Sequence, residues 1–148
     1  MSNPYGQHLG DLDPLAVLAA TPARLAAIDP ARYATPWASG KWTYGQILAH
    51  LADCEVAFAF RLRQAAAEES YVVQPFDQDR WANSYANADP AAALAVFTSV
   101  RAWLLGFLRQ LPAETFDKPV VHPELGDLTF RTLVEIIAGH DRNHLAQL

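Results

Sequence analysis

The sequence predicts an all-α fold, a four-helix bundle built from a single domain over residues 1–148. Three observations support this prediction. The chain is rich in alanine and leucine and lacks long β-branched runs, a composition that favours helices. Four segments open on an Asp-Pro pair or on a threonine, which are residues that cap helix N-termini. Apolar residues recur within these segments at spacings of three and four, the period of a helix with one buried face.

The first helix begins at Asp13-Pro14, because aspartate can cap free backbone amides and proline suits the first helical turn. Residues 1–12 precede it and are expected to form a flexible tail. Pro22 lacks an amide hydrogen and crowds the preceding turn, so it interrupts the helical pattern. The first element is therefore either one kinked helix or two short helices ending near Ile28.

The second helix follows a connector at residues 30–42 and begins with a capping box formed by Thr43 and Gln46. It is expected to continue to about Glu68. Residues on its apolar stripe share one side at helical spacing, and they are Ile47, Leu51, Cys54, Phe58 and Leu62. This helix is therefore predicted to bury one face along its whole length.

A long link at residues 69–89 separates the second helix from the third. It contains several aromatic residues, namely Tyr71, Phe76, Trp81 and Tyr85. Links of this length and composition are more often packed functional segments than flexible tethers. This link is long enough to cross the bundle, so the sequence predicts a crossover connection between helices two and three.

The third helix begins at Asp89-Pro90 and is expected to stop near Pro112. A second connector follows, and Thr129 caps the fourth helix. The inner side of that helix carries apolar residues together with two histidines.

Composition and charge exclude several function classes. The formal net charge of -5, with scattered arginines and lysines, argues against a nucleic-acid partner, which would require a basic face. Cys54 is the single cysteine, so an internal disulfide and a cysteine metal cage are excluded. No run approaches the roughly 18 consecutive apolar residues of a membrane span, and no signal pattern precedes residue 13. We therefore expect a cytoplasmic protein without a membrane partner.

Two histidines four residues apart are the strongest chemical signal in the chain. His140 and His144 would stack on one face of the fourth helix, with Cβ atoms about 5–6 Å apart. Gly139 precedes them, and a helix-interior glycine suggests that another part of the backbone approaches closely. His50 lies about two turns into the second helix, so a meeting of all three requires that the second and fourth helices run antiparallel. Asp53, one turn after His50, could orient a ligand histidine, bind metal or act as a base.

These residues alone leave two interpretations open. An isolated histidine on an apolar face is usually a satisfied core residue, whereas a histidine pair at this spacing can converge on one ion. The pair matches the zinc-protease H-E-x-x-H pattern only in part, because position 141 is aspartate.

Several stretches of the chain resemble the DinB/YfiT-like superfamily. They are WTYGQILAHLADCE at 42–55, FDQDRW at 76–81, HPE at 122–124 and GHDRNHL at 139–145. They occur in the family's order and at similar separations, from about Asp13 to Leu148. The resemblance implies a four-helix bundle, a homodimer and a three-histidine site for zinc, nickel or a similar ion.

The resemblance carries the metal ligands over to His50, His140 and His144. Zinc or nickel is expected, with iron, cobalt or manganese as alternatives, because three imidazoles accept all of these ions. Three protein ligands leave an open coordination position, which is typical of catalytic rather than structural zinc. The roles of His122, Asp77 and Asp79 stay open at this point; the two aspartates fit helix caps or surface carboxylates.

The leading functional hypothesis is a metal-dependent enzyme of the thiol S-transferase type, with Asp53 as a catalytic residue. The resemblance implies this version, since relatives include transferases and isomerases that use low-molecular-weight thiols such as bacillithiol or mycothiol. A second hypothesis is metal-dependent hydrolysis of a small amide or ester, with a metal-activated water. A third is a non-catalytic, damage-inducible protein that binds a metal or ligand. In each case the partner is a small molecule.

Overall fold

A computed structural model describes residues 3–148. Within this range the α-helices are α1 (Gly6–Leu9), α2 (Pro14–Ala26), α3 (Tyr44–Ala67), α4 (Gln78–Ala82), α5 (Pro90–Leu108) and α6 (Phe130–Leu145). Three short strands accompany them, β1 (Tyr71–Val72), β2 (Pro119–His122) and β3 (Gly126–Thr129). Single turns of 3₁₀ helix lie at Pro30–Arg32, Tyr85–Asn87 and Ala113–Asp117.

Helices α2, α3, α5 and α6 form a four-helix bundle, which confirms the predicted fold. Each of α2 and α3 packs chiefly against α5 and α6, so α2 and α3 lie diagonally across the bundle. The later part of α3, at Phe58 and Leu62, lines one small cavity together with Leu133 and Ile137 from the earlier part of α6. His50, near the start of α3, meets the end of α6. The two helices are therefore antiparallel, as predicted.

The predicted helix starts are correct because each rests on a local cap. Asp13 and Asp89 accept hydrogen bonds from backbone amides at the starts of α2 and α5. Thr43 and Gln46 form the complete capping box of α3, and the Thr129 side chain caps α6.

Helix α2 is continuous through Pro22, which settles the choice between one helix and two. A proline cannot donate to the carbonyl four residues earlier, which here belongs to Leu18. The Leu18 carbonyl instead accepts a hydrogen bond of 3.0 Å from Nη1 of Arg101 on α5. A side chain from another helix therefore satisfies the carbonyl that the proline leaves free.

The link after α3 contributes to a small sheet that the sequence does not predict. Strand β1 pairs with β2 in parallel, with Tyr71 opposite Val120, and β2 pairs with β3 in antiparallel. The strands are two to four residues long, too short for an alternating pattern to be detected. The sheet packs Tyr71, Val73 and Val120 into the core. It therefore fixes one end of the link against the bundle.

The N-terminal segment differs from the flexible tail expected for residues 1–12. Residues 1 and 2 lie outside the described part of the chain, but α1 packs on α6 and Leu9 is buried. A Cβ atom added to Gly139 would lie 2.6 Å from the carbonyl oxygen of Tyr5. The glycine in α6 therefore allows the backbone of the N-terminal segment to approach closely.

Helix α5 is long and apolar enough, by length and composition alone, to cross a membrane. The core helices of bundles meet the same criterion, and α5 buries Phe97, Leu104 and Leu108 in this one. The expectation that the chain has no membrane partner stays a prediction.

Candidate metal centre

Three histidines from two helices converge inside the bundle. His50 comes from α3, and His140 and His144 come from successive turns of α6. One ring nitrogen from each lies within 4.8 Å of the others, and Nε2 of His50 is 3.1 Å from Nε2 of His140. The residues are only 1%, 3% and 7% exposed, respectively. The predicted ligand residues are therefore brought together in a buried cluster.

The three imidazoles are neutral near pH 7. Burial, followed by the nearby His144, lowers the pKa of His50 to about 3. Burial likewise lowers the pKa of His140 well below its usual value, with further contributions from His144, His50 and Arg101. Burial also lowers the pKa of His144, although the hydrogen bond that its ring donates to Gln147 opposes this shift. Each ring therefore has a lone pair available, which metal coordination requires.

The donor set fits a divalent transition metal. Nitrogen–metal distances of about 2.0–2.1 Å place two ligand nitrogens of a tetrahedral site about 3.3 Å apart, close to the separation of His50 and His140. Nδ1 of His144 lies 2.9 Å from Oε1 of Gln147, a contact that fixes the ring and leaves Nε2 free to bind an ion. Nδ1 of His140 has no hydrogen-bond partner among the described residues.

Aromatic side chains surround the imidazoles and limit access of water. The Trp42 ring lies 5.1 Å from the His50 ring, and Tyr85 packs edge-on to both. Tyr5 and Phe58 make edge contacts to the His140 ring at 5.4 and 5.6 Å. From the sequence, Tyr85 was expected only in a packed link and Trp42 only at the end of a connector, because nothing in either segment indicates that its ring would contact His50.

Cys54 lies beside His50, with its sulfur 3.7 Å from the ring nitrogens. Burial raises the pKa of this thiol to about 12, with a further contribution from Asp53. In the metal-free protein the side chain is therefore a protonated, small apolar group near neutral pH.

Asp53 is half-buried and lies close to Tyr85. Among the described residues, no hydrogen bond joins its carboxylate to His50, His140 or His144. Burial and the nearby charge of Asp53 raise the pKa of Tyr85, whose hydroxyl has no hydrogen-bond partner in the described structure. The predicted role of Asp53 stays a prediction.

A buried ion triad, not predicted from the sequence, lies next to the three histidines. Nε and Nη2 of Arg101 donate to Glu55 at 2.8 and 2.6 Å, and Nη1 and Nη2 donate to Asp141 at 2.6 and 3.2 Å. With the Leu18 carbonyl, all five donors of this guanidinium are used. The triad connects α3, α5 and α6 directly behind the cluster, since Asp141 follows His140. The sequence feature that could have indicated this triad is Arg101 itself, a lone arginine in an apolar helix.

A cavity of about 360 Å³ lies next to His140, with Cys54 and Phe58 also in its wall. Phe76 from the link contributes to the wall as well, in agreement with the prediction that this segment is packed. His122 lines the same cavity. Asp77 caps α4 and Asp79 is an exposed residue in its first turn, so neither reaches the cluster.

Comparison with known proteins places this architecture in a family. The model of the DinB superfamily matches residues 15–148. A protein of Oceanobacillus iheyensis named as a candidate metal-dependent hydrolase is 31% identical over 115 residues, which cover 77% of this chain and 67% of the relative. YfiT of Bacillus subtilis, named in the same way, is 26% identical over 117 residues, which cover 77% and 66%. The chain thus spans about two thirds of the length of these relatives.

Two solved structures share the fold. YfiT of Bacillus subtilis superposes with a TM-score of 0.80 at 26% identity, covering 90% of this chain and 81% of YfiT. The mycothiol-dependent maleylpyruvate isomerase superposes with a TM-score of 0.71 at 16% identity, covering 98% of this chain and 60% of the isomerase. The second likeness concerns the fold alone. The family match and the bundle together establish that the chain belongs to the DinB superfamily.

Proposed function

We propose that this protein is a metal-dependent enzyme that acts on a small molecule and holds one divalent transition metal ion with His50, His140 and His144. The observation that carries the proposal is the convergence of three buried, neutral imidazoles from two helices. Zinc or nickel fits this donor set best, with iron, cobalt or manganese as alternatives. When bound, such an ion lowers the pKa of a coordinated water to about 7 and deprotonates a coordinated thiol.

The residues around the cluster support a catalytic rather than a purely structural site. Structural zinc usually has four protein ligands, whereas the described residues supply three imidazoles here. Aromatic side chains shield the ligands, and the cavity beside His140 has the volume of a small-molecule site.

The nucleophile that fits this environment best is a low-molecular-weight thiol, which makes the protein thiol S-transferase-like. The supporting observation is that no carboxylate hydrogen-bonds to the three imidazoles in the part of the chain that the structure describes. A thiol has a much lower intrinsic pKa than water, so it depends less on a protein base. The fold neighbour that acts as a mycothiol-dependent isomerase is in keeping with this choice.

Hydrolysis of a small amide or ester is the second candidate, and the names of the relatives favour it. A hydrolase needs a base near the attacking water, and Asp53 beside Tyr85 is the nearest predicted one. In this version Asp53→Asn abolishes turnover while the metal stays bound. Unchanged turnover would remove Asp53 from the mechanism.

The first experiment measures the metal content of untagged, chelator-free protein by plasma mass spectrometry. We expect about one metal ion per chain in the wild type and in the control His8→Ala, and loss of the ion in His144→Ala. Metal-loaded protein is then mixed with reduced bacillithiol and monochlorobimane, and a metal-dependent adduct is expected. Absence of an adduct would reject the thiol version. Absence of metal even after reconstitution with zinc and nickel would favour the non-catalytic hypothesis.

We also propose that two copies associate, in a reducing cytoplasm where the free Cys54 stays a thiol. Large apolar side chains on the adjacent helices α3 and α5 support a homodimer, since Phe60 is 59% exposed and Trp103 is 70% exposed. Light scattering should show a dimer for the wild type and a monomer for Trp103→Glu. A monomeric wild type would reject this proposal.

A further inference from the structure

The cavity beside His140 combines a part next to the three histidines with a part that carries two hydrogen-bond donors, Arg61 and His122. His140, Cys54 and Phe58 form the end near the metal cluster. Arg61 and His122 lie in the same wall. Arg61 follows Cys54 by seven residues on α3, which places it about 10 Å further along the helix. A small molecule that reaches the cluster from this cavity would therefore also contact Arg61.

Arg61 is held in place without a carboxylate partner. Its Nη2 donates to the carbonyl of Gln74 at 2.7 Å, and its guanidinium lies over the rings of Phe76 and Phe58, with centroids at 5.1 and 5.9 Å. These contacts orient the planar group and use one of its five donors. Among residues 3–148 it forms no ion pair, although Glu124 also lines the cavity. The remaining donors are therefore available to a ligand.

His122 adds a second donor of defined orientation. Its Nδ1 accepts hydrogen bonds from the backbone amides of Glu124 and Leu125 at 3.2 and 3.3 Å. A neutral imidazole that accepts at Nδ1 carries its proton at Nε2. Burial and the charge of Arg61 lower the pKa of His122, which keeps the ring neutral near pH 7. His122 can therefore donate one hydrogen bond from Nε2.

We propose that the part of the cavity lined by Arg61 and His122 binds the carboxylate of a small organic acid, with Arg61 as the main anchor and His122 as a second donor. The aromatic wall would cover an apolar body, so an aromatic or similarly apolar acid fits best. A planar guanidinium matches a carboxylate in a two-point contact, and partial burial strengthens that contact. The inference rests on the proposed function, because it names the class of molecule presented to the metal site.

The test compares phenylacetate with its neutral analogue phenylacetamide by calorimetry. Binding is measured to metal-free and zinc-loaded protein, so the result does not depend on the metal site being functional. We expect the wild type to prefer phenylacetate and Arg61→Gln to weaken its binding at least about tenfold, with metal content unchanged. The matched control is Arg63→Gln. The guanidinium of Arg63 is exposed, lies over the Phe107 ring and is outside this cavity. The control variant should bind like the wild type.

The same titrations with reduced bacillithiol show whether the carboxylate belongs to the thiol or to the other substrate. Weakening of either ligand by Arg61→Gln, but not by Arg63→Gln, supports the subsite. The proposal would be overturned if Arg61→Gln weakened the binding of neither ligand, or if the wild type bound phenylacetate and phenylacetamide equally. It would also be overturned if the wild type bound neither phenylacetate nor bacillithiol. Arg61→Lys guards against a folding defect, because it keeps the charge and should retain part of the affinity. Equal losses in Arg61→Lys and Arg61→Gln, with a lowered Tm in both, would mean that Arg61 only anchors the link.

Discussion

Replacing Arg101 by leucine should strongly destabilise the protein, because the arginine is the only cation in the buried triad with Glu55 and Asp141. The guanidinium and both carboxylates are at most 1% exposed. Removing one partner of a buried ion pair costs about 3–5 kcal/mol, and here two carboxylates lose their partner. They can escape by taking up protons, which costs about 4 kcal/mol for each at pH 7. We therefore expect Arg101→Leu to lower the free energy of unfolding by about 3–8 kcal/mol.

Urea unfolding followed by circular dichroism measures this loss, and its pH dependence distinguishes the mechanism. If both carboxylates are protonated in the variant, the destabilisation relative to the wild type shrinks by about 2.7 kcal/mol for each pH unit of acidification. The matched control Arg63→Leu removes an exposed arginine from the bundle surface and should change stability by less than about 0.5 kcal/mol.

Two further variants keep the test informative if Arg101→Leu does not fold. Arg101→Lys retains the charge but loses the two-point contacts, so its loss should be intermediate. Replacing Glu55, Arg101 and Asp141 together by apolar residues of similar volume should restore much of the stability. A loss below about 1 kcal/mol in Arg101→Leu, or one that does not vary with pH, would refute the reasoning.

Two other predictions concern the histidine cluster and the N-terminal segment. The cluster histidines have lowered pKa values, to about 3 for His50, so the unfolded chain binds more protons than the folded chain below about pH 6.5. Metal-free protein should lose about 1.6 kcal/mol from His50 between pH 6.5 and 5, with further losses in the same direction from His140 and His144. Urea unfolding in chelator measures this loss, and equal stability at the two pH values would contradict it. Gly139→Ala places a Cβ 2.6 Å from the Tyr5 carbonyl oxygen. This overpacking should destabilise the protein by about 1–3 kcal/mol, which outweighs the stability gained from the higher helix propensity of alanine. Faster amide exchange over residues 5–9 would confirm that the segment is displaced, whereas unchanged exchange would show that α6 moves instead.

Local features of the chain were sufficient to predict the bundle helices. The starts at Asp13, Thr43, Asp89 and Thr129 were correct because a cap depends on a side chain and the amides two or three residues away. The strands escaped prediction for the opposite reason. Residues 71–72 pair with residues 120–121, and nothing in a two-residue segment indicates a partner so far along the chain.

The candidate site divides in the same way. The pair His140 and His144 follows from helical spacing alone, and the family resemblance added His50. The structure shows that all three converge and that Asp53 lies close to Tyr85, whereas the role of Asp53 stays a prediction.

The sequence by itself therefore determined the helices, their caps and the pair His140 and His144, since these depend on spacing within one or two turns, and the family resemblance supplied His50. Only the tertiary structure decided that Arg101 would join Glu55 and Asp141, or that Arg61 and His122 would share a cavity with His140. It also decided that the segment around Tyr5 would lie against Gly139. Such contacts join residues 40 or more positions apart, and their stability comes from desolvation and packing that exist only after the helices have assembled.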